Sequence, residues 1–249
     1  MLVAKRLCIA VVLVCAVFAG SGLAQAGLMI DSFSTGEQSL EVRATSPNAT
    51  SFVWGLLGSE VIGGSHEMTL AWVAGSNRTF ADVNLDANGR LDFAQGPNAE
   101  ARLEILWDGD ELGGAGNLAY ALAADLTADG ATGFVANVIS IDLPIRVRVE
   151  VYTDATNGSV FEDVWSGGQS GTRYVAFNHP GWSIAPGATG PADFTQVGQL
   201  RLILDGEGLA DADVALDYVA TGVPEPSSIA LVALGLFGLL GRRLWRRRI

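Results

Sequence analysis

Ile145-Arg146-Val147-Arg148-Val149-Glu150-Val151 is the stretch that decides the fold. Apolar and charged side chains alternate along it with a period of two. Successive side chains of an extended chain point to opposite faces, so one face of this segment is written for a core and the other for water.

The same alternation recurs on both sides. Leu40 and Val42 alternate with Glu41 and Arg43, and Leu103, Ile105 and Trp107 alternate with Arg102 and Glu104. Leu200, Leu202 and Leu204 share a face. Glu67–Val73, Thr79–Leu85, Arg90–Ala94, Gly133–Ile141, Thr172–Phe177 and Val214–Val219 are further strand candidates. No stretch carries a helical stripe; Ala119–Ala128 comes nearest, hemmed in by Gly113, Gly114, Gly116 and Gly130. Many short strands separated by Gly, Asn, Asp and Pro turns predict an all-β fold, a single antiparallel β-sandwich with jelly-roll-like connections. Residues 27–219 form this ectodomain, Gly181–Pro191 is one of its loops, and residues 220–226 are the expected linker.

Composition narrows the chemistry. Residues 27–223 hold eight arginines and no lysine against 26 Asp and Glu, a net charge of −18. A domain this acidic repels nucleic acid and anionic lipid, so no nucleic-acid partner is expected; cations such as calcium, or neutral glycans, suit it better. Solubility alone also accounts for the charge. Both cysteines, Cys8 and Cys15, precede this region, which leaves it without a disulfide, a thiolate metal site or a cysteine nucleophile.

The two ends read differently from the middle. Lys5 and Arg6, the apolar run Leu7–Phe18 and the small-x-small site Ala24-Gln25-Ala26 make residues 1–26 a secretory signal peptide, read by the general secretion machinery and cut before Gly27. At the other end, Pro224-Glu225-Pro226 precedes a short apolar helix expected over residues 227–241 and an Arg-rich tail, 242–249, that opens with Arg242 and Arg243. Fifteen helical residues span roughly 22 Å, short for a ~30 Å hydrocarbon core, so this helix is a membrane foothold rather than a comfortable span. The arginines place the tail on the cytoplasmic side and the ectodomain outside, the orientation the signal peptide also demands. Pro224 and Pro226 keep the tripeptide extended, the form a protease cleft accepts.

This arrangement of tripeptide, short helix and arginine cluster resembles the PEP-CTERM sorting signal of Gram-negative bacteria. The resemblance implies a processing partner of the exosortase type, a membrane peptidase that cuts near Pro224, and an inner-membrane-anchored intermediate followed by the cell surface or the extracellular space. The ectodomain is similar to exported proteins that often carry this tail, through Ile30-Asp31-Ser32-Phe33, Trp107-Asp108-Gly109, Asp125-Leu126-Thr127, Gly130-Ala131-Thr132-Gly133-Phe134, Ala192-Asp193-Phe194-Thr195 and Val223-Pro224-Glu225-Pro226. That resemblance implies a non-catalytic surface or extracellular-matrix β-sandwich with an association to exopolysaccharide.

Candidate sites within the sandwich are few. Asn84, Asp86, Asn88 and Asp92, with Gly89 between them, have the oxygen spacing of a calcium loop, but Gln95 stands where a bidentate Glu is needed. The competing reading is a hairpin between strands 79–85 and 90–94 that turns at Asn88-Gly89. Asp108, Asp110 and Glu111 are a second acidic turn, able to hold calcium or to supply a carboxylate of a glycoside hydrolase pair. Trp182, on a Gly/Pro-rich loop, is the candidate sugar platform, whereas Trp72 and Trp107 sit in strand patterns and read as core. Two histidines without cysteine build neither an ordinary zinc site nor a recognisable triad, and His66 and His179 read as surface or turn residues. The alternatives to a non-catalytic surface protein are thus a carbohydrate-binding module, with or without calcium, and a secreted glycoside hydrolase.

Overall fold

The computed structural model describes residues 27–110 and 119–223. Fourteen strands form there. In chain order they are β1 (Met29–Asp31), β2 (Gln38–Val42), β3 (Asn48–Trp54), β4 (Ser65–Gly75), β5 (Thr79–Val83), β6 (Leu91–Gln95) and β7 (Ala99–Trp107). The rest are β8 (Gly133–Ile141), β9 (Ile145–Tyr152), β10 (Gly158–Trp165), β11 (Gln169–Ala176), β12 (Ser183–Ile184), β13 (Gln199–Asp205) and β14 (Asp213–Gly222). They build two seven-stranded sheets, and every strand pairing is antiparallel. The first sheet runs β11-β8-β14-β6-β5-β2, with β1 beside the end of β14; the second runs β12-β10-β9-β13-β7-β4-β3. The expected β-sandwich is the observed one.

The alternation at Ile145–Val151 is realised in β9. Ile145, Val147 and Val151 are buried between the sheets, while Arg146, Arg148 and Glu150 stand on the outer face. Trp107 on β7 is the largest fully buried side chain. Burying a ring of that size removes ~150–250 Å² from water, about 4–6 kcal/mol at ~25 cal/mol/Å². Ile30, Leu91, Phe93 and Leu216 of the first sheet belong to the same core.

Hairpins β3–β4, β5–β6 and β9–β10 stay within a sheet, while β2–β3 and β10–β11 turn corners between sheets. The β2–β3 corner closes tightly: Arg43 and Ser46 exchange backbone hydrogen bonds of 3.0 and 2.9 Å, and Gln38 Nε2 donates to Ser51 Oγ at 2.9 Å. The β9–β10 turn is pinned by Asp154, whose carboxylate accepts from Asn157 and Thr156; those hydrogen bonds hold its pKa down at about 2. Residues 119–126 form no helix. They lie as an extended strap in which Ala121 N donates to Asp108 O, Leu122 N to Gly198 O and Leu126 N to Phe194 O.

The last strand reaches further than the sequence implied. Ala220, Thr221 and Gly222 pair with Val135, Phe134 and Gly133 of β8, so residues 220–222 belong to the sheet and not to the expected linker. Only Thr221 of the three is a strand-favouring residue; pairing on both sides, with β8 and with Leu28, carries the strand to the residue before Val223. On its other side β14 holds the start of the domain: Leu28 N donates to Thr221 Oγ1 at 2.9 Å, and Thr221 N donates to Leu28 O at 2.8 Å. Gly27 fits there because it lacks a side chain; a Cβ would lie 2.0 Å from Thr221 O.

Candidate functional site

The strongest polar feature of the interior is one the sequence hid. Asp31 on β1 is fully buried and accepts three hydrogen bonds: His66 Nδ1 at 2.7 Å, Trp107 Nε1 at 3.0 Å and Phe33 N at 2.8 Å. His66 is therefore no surface residue, as had been expected; it is 1% exposed on the inner face of β4. Asp31 and His66 lie 35 positions apart, and only the meeting of the two sheets brings them together. Because the carboxylate accepts, His66 Nδ1 carries the hydrogen, and Nε2 is left buried without a partner. The arrangement joins the two sheets, Asp31 on the first to His66 and Trp107 on the second.

The calcium-like loop folds as the hairpin. Val83 pairs with Leu91, Asn84 N donates to Arg90 O at 2.9 Å, and the turn closes through left-handed residues including Asn84, Asp86 and Gly89. Its oxygens serve the turn itself. Asn84 Oδ1 accepts from Gly89 N at 3.0 Å, Asn88 Oδ1 from Arg90 N at 3.2 Å, and Asp92 Oδ2 from Arg90 Nε at 2.7 Å and Asn88 Nδ2 at 3.1 Å. Of the four, Asp92 is the one paired with the Arg90 side chain. Among the described residues no cluster of three or more His, Cys, Asp or Glu side chains is placed to hold a metal. Asp108 and Asp110 are part of the second acidic turn, in which Asp110 N donates to Asp108 Oδ1 at 3.0 Å; Glu111 lies outside the described residues.

The outer face of the second sheet is where charged side chains gather. Four of the eight ectodomain arginines, Arg102, Arg146, Arg148 and Arg201, stand on it among carboxylates. Arg201 reaches Glu104 at 3.5 Å and Glu150 at 3.7 Å, Arg148 reaches Glu162 at 2.9 Å, and Arg146 reaches Asp205 at 3.3 Å. Tyr152 donates to Glu150 Oε2 at 3.1 Å; burial, then the Glu150 charge, pushes its pKa up to about 12. Glu67 and Asp108, on the neighbouring strand and at the end of β7, both have raised pKa values. Burial is the main cause in each, and for Glu67 the next is the Asp108 charge. Gln199 Nε2 and Arg201 Nε are buried on this face without partners. Raised, neighbouring carboxyls are ingredients of acid–base chemistry, but these two stand on one sheet face and not across a cleft.

The tryptophans divide otherwise than their loops suggested. Trp182 is half-buried, its Nε1 donating to Ala176 O at 2.9 Å and its ring packed within 5.2–6.0 Å of Phe194, Phe161 and Phe134. That packing leaves it little free face for a sugar. Trp107 is core as expected, and Trp72 packs against the core. Among the described tryptophans the exposed one is Trp54, 64% accessible at the end of edge strand β3, where Ser65 is its pairing partner. Its signal in the sequence was weak because Asn48–Trp54 alternates poorly. His179 sits in the expected exposed turn, accepting from Gly181 N at 3.0 Å.

Pro224, Glu225, Pro226, Arg242 and Arg243 lie outside the described residues, as do Ala24 and Ala26; of the signal-cleavage residues only Gly27 is described. The expected signal peptide, membrane helix and cytoplasmic tail fall outside them too.

Residues 222–248 match the PEP-CTERM protein-sorting motif, so the chain carries that sorting signal at its C-terminal end. No curated protein matches the chain. Among solved structures, the fold is similar to a family 11 carbohydrate-binding module from Clostridium thermocellum in complex with a β-1,3-1,4-mixed-linked tetrasaccharide. That likeness has 10% identity and a TM-score of 0.39, and it covers 80% of this chain and 98% of that one. A family 11 module of the Clostridium thermocellum cellulase Lic26A-Cel5E gives 10% identity and a TM-score of 0.36 over 82% of this chain and 96% of that one. An exo-β-agarase gives 10% identity and a TM-score of 0.38; 81% of this chain is covered, but only 26% of the agarase. Such distant likeness carries no ligand with it.

Proposed function

We propose that this chain is an exported, non-catalytic β-sandwich protein that an exosortase-type peptidase recognises through the C-terminal signal and delivers to the cell surface or extracellular matrix. The observation that carries the reading is the junction at Gly222: the sorting motif begins at the last residue of β14. The last strand ends where the signal begins, so a cut near Pro224 would leave β14 whole. Mass spectrometry of the exported product from cells that possess the peptidase should find termini at Gly27 and near Pro224. Pro224→Ala or Glu225→Ala should leave the tail attached. A product that still carries residues 227–249 would overturn the reading.

A second reading, glycan binding by the sandwich, is favoured by one observation, the exposed Trp54 ring at the edge of the sheet whose outer face holds the arginine–carboxylate lattice. Aromatic rings present a flat apolar face with low ordering cost. Affinity electrophoresis against a panel of soluble polysaccharides, with Trp54→Ala as control, tests it; equal mobility of both proteins in every gel removes it.

A further inference from the structure

Three of the four sheet edges are guarded against pairing with another chain. At the ends of the first sheet, β2 carries Glu41 and β11 carries Arg173; at one end of the second, β12 is two residues long. Charged side chains and shortness protect an edge, whose open N–H and C=O groups otherwise invite a further strand. The fourth edge, β3, has neither protection. Its seven residues, Asn48-Ala49-Thr50-Ser51-Phe52-Val53-Trp54, include no charge, no proline and no glycine. They are uncharged in an ectodomain whose net charge is −18.

The free backbone groups of β3 have a definite order. The strand pairs on one side only, with β4, in an unbroken register from Asn48↔Ala71 to Trp54↔Ser65. One step before that register begins, Trp72 N donates to Pro47 O at 2.7 Å. Bonded and non-bonded pairs alternate along an antiparallel ladder. Ala49, Ser51 and Val53 therefore direct their N–H and C=O groups to β4, and Asn48, Thr50, Phe52 and Trp54 direct theirs away from it. Asn48, Thr50 and Trp54 are exposed, and Phe52 is half-buried. Phe52 pairs with Glu67, so the side chains of these four stand on the outer face of the second sheet.

We propose that β3 is a self-association edge, at which a second copy of this chain adds its own β3 antiparallel to the first across a two-fold axis at Ser51. The register is self-complementary. Thr50 faces Phe52 of the second copy and Asn48 faces its Trp54, so outward groups meet outward groups along the whole strand, two hydrogen bonds to a pair. On the outer face each aromatic ring lies beside a threonine or an asparagine, and cross-strand pairs between aromatic and β-branched side chains are favourable. On the inner face Ser51 meets its own copy and Ala49 meets Val53. Charge favours this occupant. A cationic partner finds no carboxylate on the strand, whereas two bodies of like charge repel least where carboxylates are absent. The outer faces of the two second sheets become continuous across the axis. The pairing is independent of the sorting signal, so it stands or falls separately from the route by which the protein leaves the cell.

The test uses the product exported by cells expressing the whole chain. Sedimentation equilibrium over a concentration series should show a monomer–dimer equilibrium that strengthens as salt screens the repulsion. Thr50→Pro removes an outward N–H and leaves the bonding to β4 in place, and the axis doubles the loss, so the dissociation constant should rise about tenfold or more. Thr50→Asp puts a charge on the exposed edge and should weaken the dimer likewise, which covers the case of a proline that unfolds the strand. Single cysteines read the register, since the ectodomain has none of its own. Ser51 faces itself in a non-bonded pair with Cα atoms about 4.5 Å apart, within the ~4.4–6.8 Å that a disulfide spans. Ser51→Cys should therefore give a disulfide-linked dimer under mild oxidation, and Val53→Cys, opposite Ala49, should not. A monomer at every concentration overturns the proposal. So does a dimer that both Thr50 variants leave unchanged, which would put the interface elsewhere, and so does a Ser51→Cys that crosslinks no better than Val53→Cys.

Discussion

The Asp31 clamp and the arginine lattice are built from the same kinds of group, and they stand on opposite faces of one sheet. Asp31 has no contact with water and holds His66, Trp107 and the Phe33 amide in one arrangement. On the lattice, Arg148 and Glu162 keep 27% and 44% of their side chains exposed, and they meet at 2.9 Å without being confined to one another. The distances are alike; the alternatives are not. When an exposed pair parts, water takes up both partners. When the clamp loses its acceptor, three buried donors lose theirs together, and each orphan costs about 1–3 kcal/mol.

The contrast is sharpest in Asp31→Ala, expected to cost about 3–5 kcal/mol, a fall in Tm on the order of 10 °C for a domain of this size. Differential scanning calorimetry would read it, and a loss under 1 kcal/mol would mean the clamp adds no more than a surface contact. Arg201→Met comes next. Arg201 is only 17% exposed and serves Glu104 and the buried Glu150 together, so its removal should cost about 1–3 kcal/mol. Arg148→Gln, at the same 3.7 Å from Glu150 but more exposed, should cost less than about 1 kcal/mol. Should the two arginine variants prove equal in urea titration, burial is not what grades the lattice.

The smallest effect is one of pH. Glu67 has its pKa raised above 4.5, so the native state holds that proton more tightly than the unfolded chain. Its contribution is fully present below pH 4.5 and is lost as pH climbs through the raised value. Glu67→Gln removes the titration. The variant should gain on the parent protein as pH rises from 4.5 toward neutrality, in urea midpoints taken across that range. Parallel curves for the two proteins would show that Glu67 titrates alike folded and unfolded.

These differences also explain what could be read before the fold was seen. Gly133–Ile141 is a strand to the residue in both accounts, because its apolar run is bounded by turn residues and buried in mid-sheet. β9 and β13 were legible from their alternation. β3 and β10 were missed; each is an outer strand with a mixed pattern, Asn-Ala-Thr-Ser-Phe-Val-Trp and Gly-Ser-Val-Phe-Glu-Asp-Val-Trp, where neither period dominates. The hairpin was readable because Asn88 and Gly89 mark a turn locally; its connection is longer than those two residues, running over 84–90 and including a 3-10 turn at Leu85–Ala87. The clamp was not, since its members lie 35 and 76 positions from Asp31. Trp182 shows the reverse case: a Gly/Pro loop suggested exposure, and packing against Phe134, Phe161 and Phe194 leaves it half-buried.

The pairing of β1 with β14 sets Leu28 against Thr221, the first and last turns of the domain backbone side by side. A domain whose first and last strands already touch has no topological need of either end. A few residues joining Val223 to Gly27 would make the sandwich a closed ring, and new ends cut at the exposed Gly208 would give a circular permutant with the same sheets in a different order of synthesis.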